Sequence, residues 1–367
     1  MNKGMNAEAN DSMQSLMREA TRLTRAGRLN EATSVLQQAL GAAPAAGRPM
    51  PAAALPALSR PPVAPPGAGV PATPPGSFTR GTHSHGGLSR DFKLFVPPGA
   101  HAHPLPLVVM LHGCKQDPDD FATGTAMNRR AAEQGFIVLY PAQAQGSNPA
   151  ACWNWFKPEH QQRGRGEPAL IANLTQAVAK THDADRRRIY AAGLSAGGAM
   201  AAVLARAYPD LFAAVGVHSG LPCDSAHDVM SALAVMKSGV ATERPLGRAC
   251  TMPTAEAPRP VPTIVFHGDR DATVHPRNGE QLVARLLHAD AGTSPTIELG
   301  VCAQGRRFTR TVHRDAQGVA RAEHWQVHGA GHAWSGGDPG GSFADPSGPD
   351  ATLEMLRFFS QHLNLGG

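Results

Sequence analysis

The hexapeptide Gly193-Leu194-Ser195-Ala196-Gly197-Gly198 constrains this chain more than any other stretch. The apolar run RRIYAAG leads into it and reads as a buried strand. The run AGGAMAAVLARAYPD leaves it and reads as a helix. A serine at a strand-to-helix turn inside G-x-S-x-G has the form of a nucleophile elbow. Side chains two positions before or after such a serine would collide with the neighbouring strand and helix. Glycine at 193 and 197 removes them. Ser195 then opens the helix, where free amides and the helix dipole favour developing negative charge. Ser195 is therefore the candidate nucleophile.

The rest of the body follows the same rhythm. LPLVVMLHG, GFIVLYP, AAVGVHSG, TIVFHG and EHWQVHG read as further buried strands. FATGTAMNRRAAEQ, EPALIANLTQAVAKTH and RNGEQLVARLLHA read as helices between them. This alternation predicts an α/β body over residues 77–367, a mostly parallel sheet with helices on both faces. In such sheets the loops at the C-terminal strand ends carry the site.

Two segments precede the body. Over residues 1–46, Met13, Leu16, Met17, Ala20 and Leu23, then Leu29, Ala32, Leu36, Ala39 and Leu40, recur at helical spacing on either side of Ala26-Gly27-Arg28. A small helical hairpin is expected. It resembles one tetratricopeptide unit at Ala20, Leu23, Ala32, Leu36, Ala39 and Pro44. A lone unit cannot bury its own apolar face. It therefore docks on the body, on a protein partner or on a second copy. Residues 47–76 are dominated by Pro, Ala and Gly, which predicts an extended linker.

A net charge of +5, spread along the chain, excludes a nucleic-acid footprint, which needs clustered Lys and Arg. No apolar run is long enough for a membrane helix. The opening MNKGMNAEANDSMQSL has no apolar core of a secretion signal, which leaves the compartment open between the cytoplasm and the exterior. Five cysteines do not make a disulfide scaffold, though one or two bridges fit an exported protein. His83/His85 and His101/His103 lack further ligands at zinc spacing. No metal or organic cofactor is implied.

A serine hydroxyl needs a base. His332, in the small-residue loop GAGHAWSGG after the last strand, is the candidate. His218, His324 and His328 are rivals within or beside strands. The acid that orients the imidazole should lie between serine and histidine in the chain. Asp271 in HGDRDATV fits, with Asp269 as rival and turn residue; Asp338 falls after the histidine. Two amides must face an oxyanion. That of Ala196 follows the nucleophile, and that of Cys114 follows His112-Gly113 after an early strand. The Cys114 thiol itself lacks an elbow. Trp153, Trp155 and Trp334 are candidate substrate contacts, or else core anchors.

LHGCKQD, CWNWF, RRIYAAGLSAGGAMA, HGDRDATV and GAGHAWSGG, in this order between Phe92 and Phe359, resemble the polyhydroxybutyrate depolymerase family of esterases, with its feruloyl and acetylxylan esterase relatives. The resemblance implies an α/β-hydrolase fold and a serine esterase. It implies Ser195 as nucleophile, Asp271 as acid, His332 as base and Cys114 as an oxyanion amide. It also implies an ester substrate and an extracellular setting. The opposing expectations are a peptidase on the same fold and a granule- or partner-binding scaffold with a vestigial hydrolase.

Overall fold

The computed structural model describes residues 76–99, 101–241, 260–289 and 294–364. The expected hairpin (1–46) and all of the expected linker (47–76) but Gly76 lie outside them.

A ten-stranded sheet organises the described chain, in the order β1-β2-β4-β3-β5-β6-β7-β10-β9-β8. Its centre is β4 (Ile137–Pro141), β3 (Leu107–Leu111), β5 (Ile189–Leu194), β6 (Ala214–His218), β7 (Thr263–Gly268) and β10 (Ala320–Val327), all parallel. These are the six strands that apolar runs predict. β3, β4, β5, β6 and β7 are buried at every position and so are nearly all apolar, whereas β10 is mixed, with Arg321, Glu323, His324 and Gln326 among its residues. The flanks are antiparallel: β1 (Ser77–His85) with β2 (Leu88–Val96) at one edge, β8 (Ser294–Val301) with β9 (Arg307–Arg314) at the other. Open to solvent in part or, for β8, along nearly all of its described side chains, and mixed in composition, these four give no continuous apolar signal.

The helices are α1 (Pro118–Thr125), α2 (Met127–Gln134), α3 (Gly166–Thr181), α4 (Ala196–Ala207), α5 (Val229–Ser238), α6 (Arg277–Ala289) and α7 (Ala351–Phe359). One expected helix is split into α1 and α2 by Ala126, whose φ of +51° breaks the helix. The alternation of strand side chains assigns the layers. Leu107, Val109 and Leu111 pack with Ile171 and Leu174 of α3 and Met200 and Val203 of α4. Val108 and Met110 face the other way, onto Phe121 of α1, Met127 of α2 and Met355 and Phe359 of α7. No described helix is long and apolar enough to cross a membrane.

Candidate active site

Ser195 sits between β5 and α4 with φ +58° and ψ −119°, a conformation that costs about 1–3 kcal/mol in a non-glycine residue. Neighbouring backbone holds it there. Its amide donates to the His218 carbonyl at 2.9 Å. A Cβ on Gly193 would lie 2.4 Å from the Gly197 carbonyl, and one on Gly197 only 2.0 Å from the Leu111 carbonyl oxygen. Both glycines are thus demanded by backbone-to-backbone approach.

The loop after β3 lies beside the elbow: a Cβ on Gly113 would be 3.6 Å from that of Ser195. Among the described residues, the amides of Cys114 and Ala196 donate to no protein group. Several ties hold this loop. His112, buried, accepts the Gln143 amide on Nε2 at 3.1 Å and donates from Nδ1 to the Gly113 carbonyl at 2.7 Å. Burial lowers its pKa, which keeps the ring in that neutral form. Gly113 donates to Gln116 Oε1 at 3.0 Å, and Lys115 to the Ala150 carbonyl at 2.7 Å. Cys114 forms a disulfide with Cys152.

The three tryptophans need correcting as substrate contacts. Trp153, Trp155 and Trp334 are 0%, 4% and 1% exposed, leaving almost no indole for a ligand. Trp153 donates from Nε1 to the His112 carbonyl at 3.1 Å and so anchors the Cys114 loop from beneath. Trp155 packs edge-on against Phe156. Trp334 stacks on His218 and bonds Thr352.

Asp271 follows β7 and His332 follows β10, adjacent parallel strands. His332 Nδ1 and Asp271 Oδ2 are 2.7 Å apart. The other oxygen, Oδ1, accepts the amides of Thr273 (2.9 Å) and Val274 (2.8 Å). Burial pushes the Asp271 carboxyl up, but His267, His332 and the Val274 amide outweigh it and hold the group far below the usual carboxylate range. Asp271 is therefore a fixed anion.

The rivals find other places. Asp269 pairs with His328 Nδ1 at 2.9 Å and accepts the Gly329 amide at 2.7 Å, so the rival acid and a rival base satisfy each other. His324 is half-buried in β10, and desolvation of its ring lowers its pKa to about 4. His218 accepts the Ser335 amide on Nε2 at 3.0 Å while its carbonyl holds the Ser195 amide. Burial, with the charges of His267 and His332, lowers its pKa to about 3. It is a neutral strut between nucleophile and histidine loop.

One cluster went unread in the sequence. Glu167, fully buried at the start of α3, binds Arg90 (3.2 Å), Gln143 (2.6 Å) and the amide and side chain of Asn154 (2.8 and 2.9 Å). Gln143 in turn holds the Cys152 carbonyl at 2.9 Å. Burial raises the Glu167 pKa, but His160, Gln143 and Asn154 bring it down to about 2. Its partners are scattered between residues 90 and 167, so local pattern holds no trace of it. Among the described residues no cluster of His, Cys, Asp or Glu is arranged to hold a metal ion.

Residues 90–297, more than half of the chain, match the family model described as Esterase PHB depolymerase. The chain belongs to that family. It is 33% identical over 239 residues to poly(3-hydroxyalkanoate) depolymerase C of Paucimonas lemoignei, covering 65% of this chain and 56% of that protein. It is 31% identical to feruloyl esterase B of Thermothelomyces thermophilus, covering 60% of this chain and 77% of the relative. With the probable acetylxylan esterase A of Aspergillus fumigatus it shares 30% identity over 50% of this chain and 51% of the other. The chain thus spans about half the length of two of these three relatives. Among solved structures, the acetyl xylan esterase from Aspergillus awamori superposes with a TM-score of 0.60 at 19% identity, over 74% of this chain and 94% of that one. The fold is the α/β-hydrolase fold.

Proposed function

We propose that this protein hydrolyses carboxylic esters through an acyl-enzyme on Ser195, and that oligomers or polymers of the 3-hydroxybutyrate type are its substrates. The observation that carries the reading is the 2.7 Å Asp271–His332 pair, at the same C-terminal end of the parallel strands as a serine in a strained elbow. Ser195 Oγ attacks the ester carbonyl while His332 Nε2 takes its proton. Asp271 holds the Nδ1–H and stabilises the imidazolium without taking the proton itself. The free amides of Cys114 and Ala196 receive the oxyanion. His332 then protonates the departing alcohol. Water, deprotonated by the same histidine, attacks the acyl-enzyme and releases the acid.

The likeness to the Paucimonas lemoignei depolymerase supports the substrate class, and the feruloyl and acetylxylan esterase relatives supply the competing one. The test is hydrolysis of p-nitrophenyl butyrate by wild type and Ser195→Ala, with hydroxybutyrate oligomers, methyl ferulate and acetylated xylan alongside. Activity that vanishes in the variant and favours the hydroxybutyrate oligomers is the expected result. Equal activity in both proteins sinks Ser195. A preference for ferulate or xylan moves the substrate to the other branch.

A further inference from the structure

With the three candidate tryptophans in the core, the aromatic surface beside the base comes from a residue that no motif marks. Phe343 is 43% exposed, and its ring stands edge-on to the His332 imidazole, centroids 6.3 Å apart and planes 80° apart. Its φ is +51°, a region that a bulky residue enters only when its surroundings impose it. Those surroundings are visible. The Phe343 carbonyl accepts the Trp334 amide at 2.6 Å, two residues beyond His332. Ser342, just before it, is bound by Asp120 through its amide (2.7 Å) and hydroxyl (2.5 Å). The Ser342 carbonyl accepts from Gln116 Nε2 at 3.0 Å, and the Oε1 of that glutamine holds the Gly113 amide. Phe343 is therefore tied to the histidine loop on one side and to the Cys114 loop on the other. An apolar ring held so rigidly, yet left open to solvent, is placed for contact with a ligand.

We propose that Phe343 is a specificity-determining residue that packs against the alcohol portion of the ester and selects alcohols with an apolar face. This rests on the Ser195–His332 reading. The histidine that protonates the departing alcohol must come within hydrogen-bond reach of its oxygen. A ring packed on that imidazole accordingly borders the leaving group. In an oligomer of 3-hydroxybutyrate-type esters the leaving group is the next hydroxyacyl unit, whose branched carbon presents such a face.

The experiment compares methyl butyrate with benzyl butyrate in wild type, Phe343→Ala and Phe343→Trp. The two esters give the same acyl-enzyme and release alcohols of similar acidity, so the ratio of their kcat/KM values isolates the alcohol contact. The expected result is a benzyl preference in wild type that falls about tenfold in Phe343→Ala, in line with the loss of a methylene or two of apolar contact, and is kept by Phe343→Trp. A ratio unchanged in Phe343→Ala overturns the proposal, as does an equal fall for both esters. A second measurement does not depend on turnover: saturation-transfer NMR of benzyl butyrate on Ser195→Ala and on Ser195→Ala/Phe343→Ala. Saturation of the benzyl protons in the first protein and its loss in the second support the contact; equal signals refute it. Full esterase activity in Ser195→Ala overturns the catalytic reading, and the Phe343 proposal with it; loss of activity in Ser195→Ala together with an unchanged benzyl-to-methyl ratio in Phe343→Ala overturns the Phe343 proposal alone.

Discussion

Replacing Asp271 by asparagine should abolish turnover while leaving most of the fold in place. Asp271 Oδ1 accepts two backbone amides, from Thr273 and Val274, and only an oxygen can stay there. An asparagine must therefore turn its NH2 toward His332 Nδ1, now 2.7 Å from Oδ2. Two N–H groups cannot face each other, so His332 would present a bare Nδ1 and carry its proton on Nε2. In that tautomer it cannot accept the Ser195 proton. Loss of the correct tautomer in a Ser-His-Asp site costs about 10⁴ in kcat, or about 5.4 kcal/mol of barrier. The same NH2 also meets His267 Nε2, 3.4 Å from Oδ2. One frustrated buried donor destabilises the fold by about 1–3 kcal/mol. The control is Asp269→Asn, which breaks only the partly exposed pair with His328 and should change the rate less than about tenfold. Initial rates on p-nitrophenyl butyrate, with a melting curve for each variant, decide it. Asp271→Asn retaining a tenth of wild-type activity, or Asp269→Asn falling as far at unchanged melting temperature, would refute the assignment.

Three further outcomes are expected. Gly197→Ala drives a Cβ into the Leu111 and His112 carbonyls and should lower soluble yield and stability by about 3 kcal/mol or more, whereas Gly146→Ala, facing open space, should be near neutral; thermal melts compare them. Reducing the Cys114–Cys152 bond, which spans 38 residues, should remove about 2–4 kcal/mol in urea titrations and lower kcat as the Cys114 amide loosens; unchanged kcat would count against that amide. Folding holds His218, His324 and His362 at pKa values of about 3, 4 and 4, below the unfolded value near 6.5. The unfolded chain then binds more protons in acid, so their contribution is complete above pH ~6.5 and declines toward pH ~4 by about 1.4 kcal/mol per pH unit for each histidine. Urea midpoints at pH 7 and pH 5 measure this, and His324→Leu should flatten the slope.

The residues that local chemistry constrains were readable without coordinates. A turn that brings backbone within 2.0 Å of where a Cβ would be admits only glycine, so the elbow announces itself in five letters. A strand buried at every position is nearly all apolar, so β3, β4, β5, β6 and β7 stand out as runs, while β10 is legible only at its C-terminal end. Chain order, loop composition and likeness to a known pattern then nominated Asp271 and His332 from many candidates. The flanking strands β1, β2, β8 and β9 obey no such rule, because solvent reaches much of each, and nearly all of the described side chains of β8.

What only tertiary structure decided is everything that depends on partners distant in sequence. A tryptophan in CWNWF can line a pocket or pin a loop, and only the fold puts the Trp153 indole under the His112 carbonyl. His218 resembles a base on paper; burial makes it a neutral strut. Asp269 and Asp271 differ by two positions, yet one meets His328 and the other His332, because side chains from adjacent strand ends pair by geometry and not by spacing. Glu167 and Phe343 carry no motif at all. Their meaning comes from what packs around them, a property of the folded chain and not of any window within it.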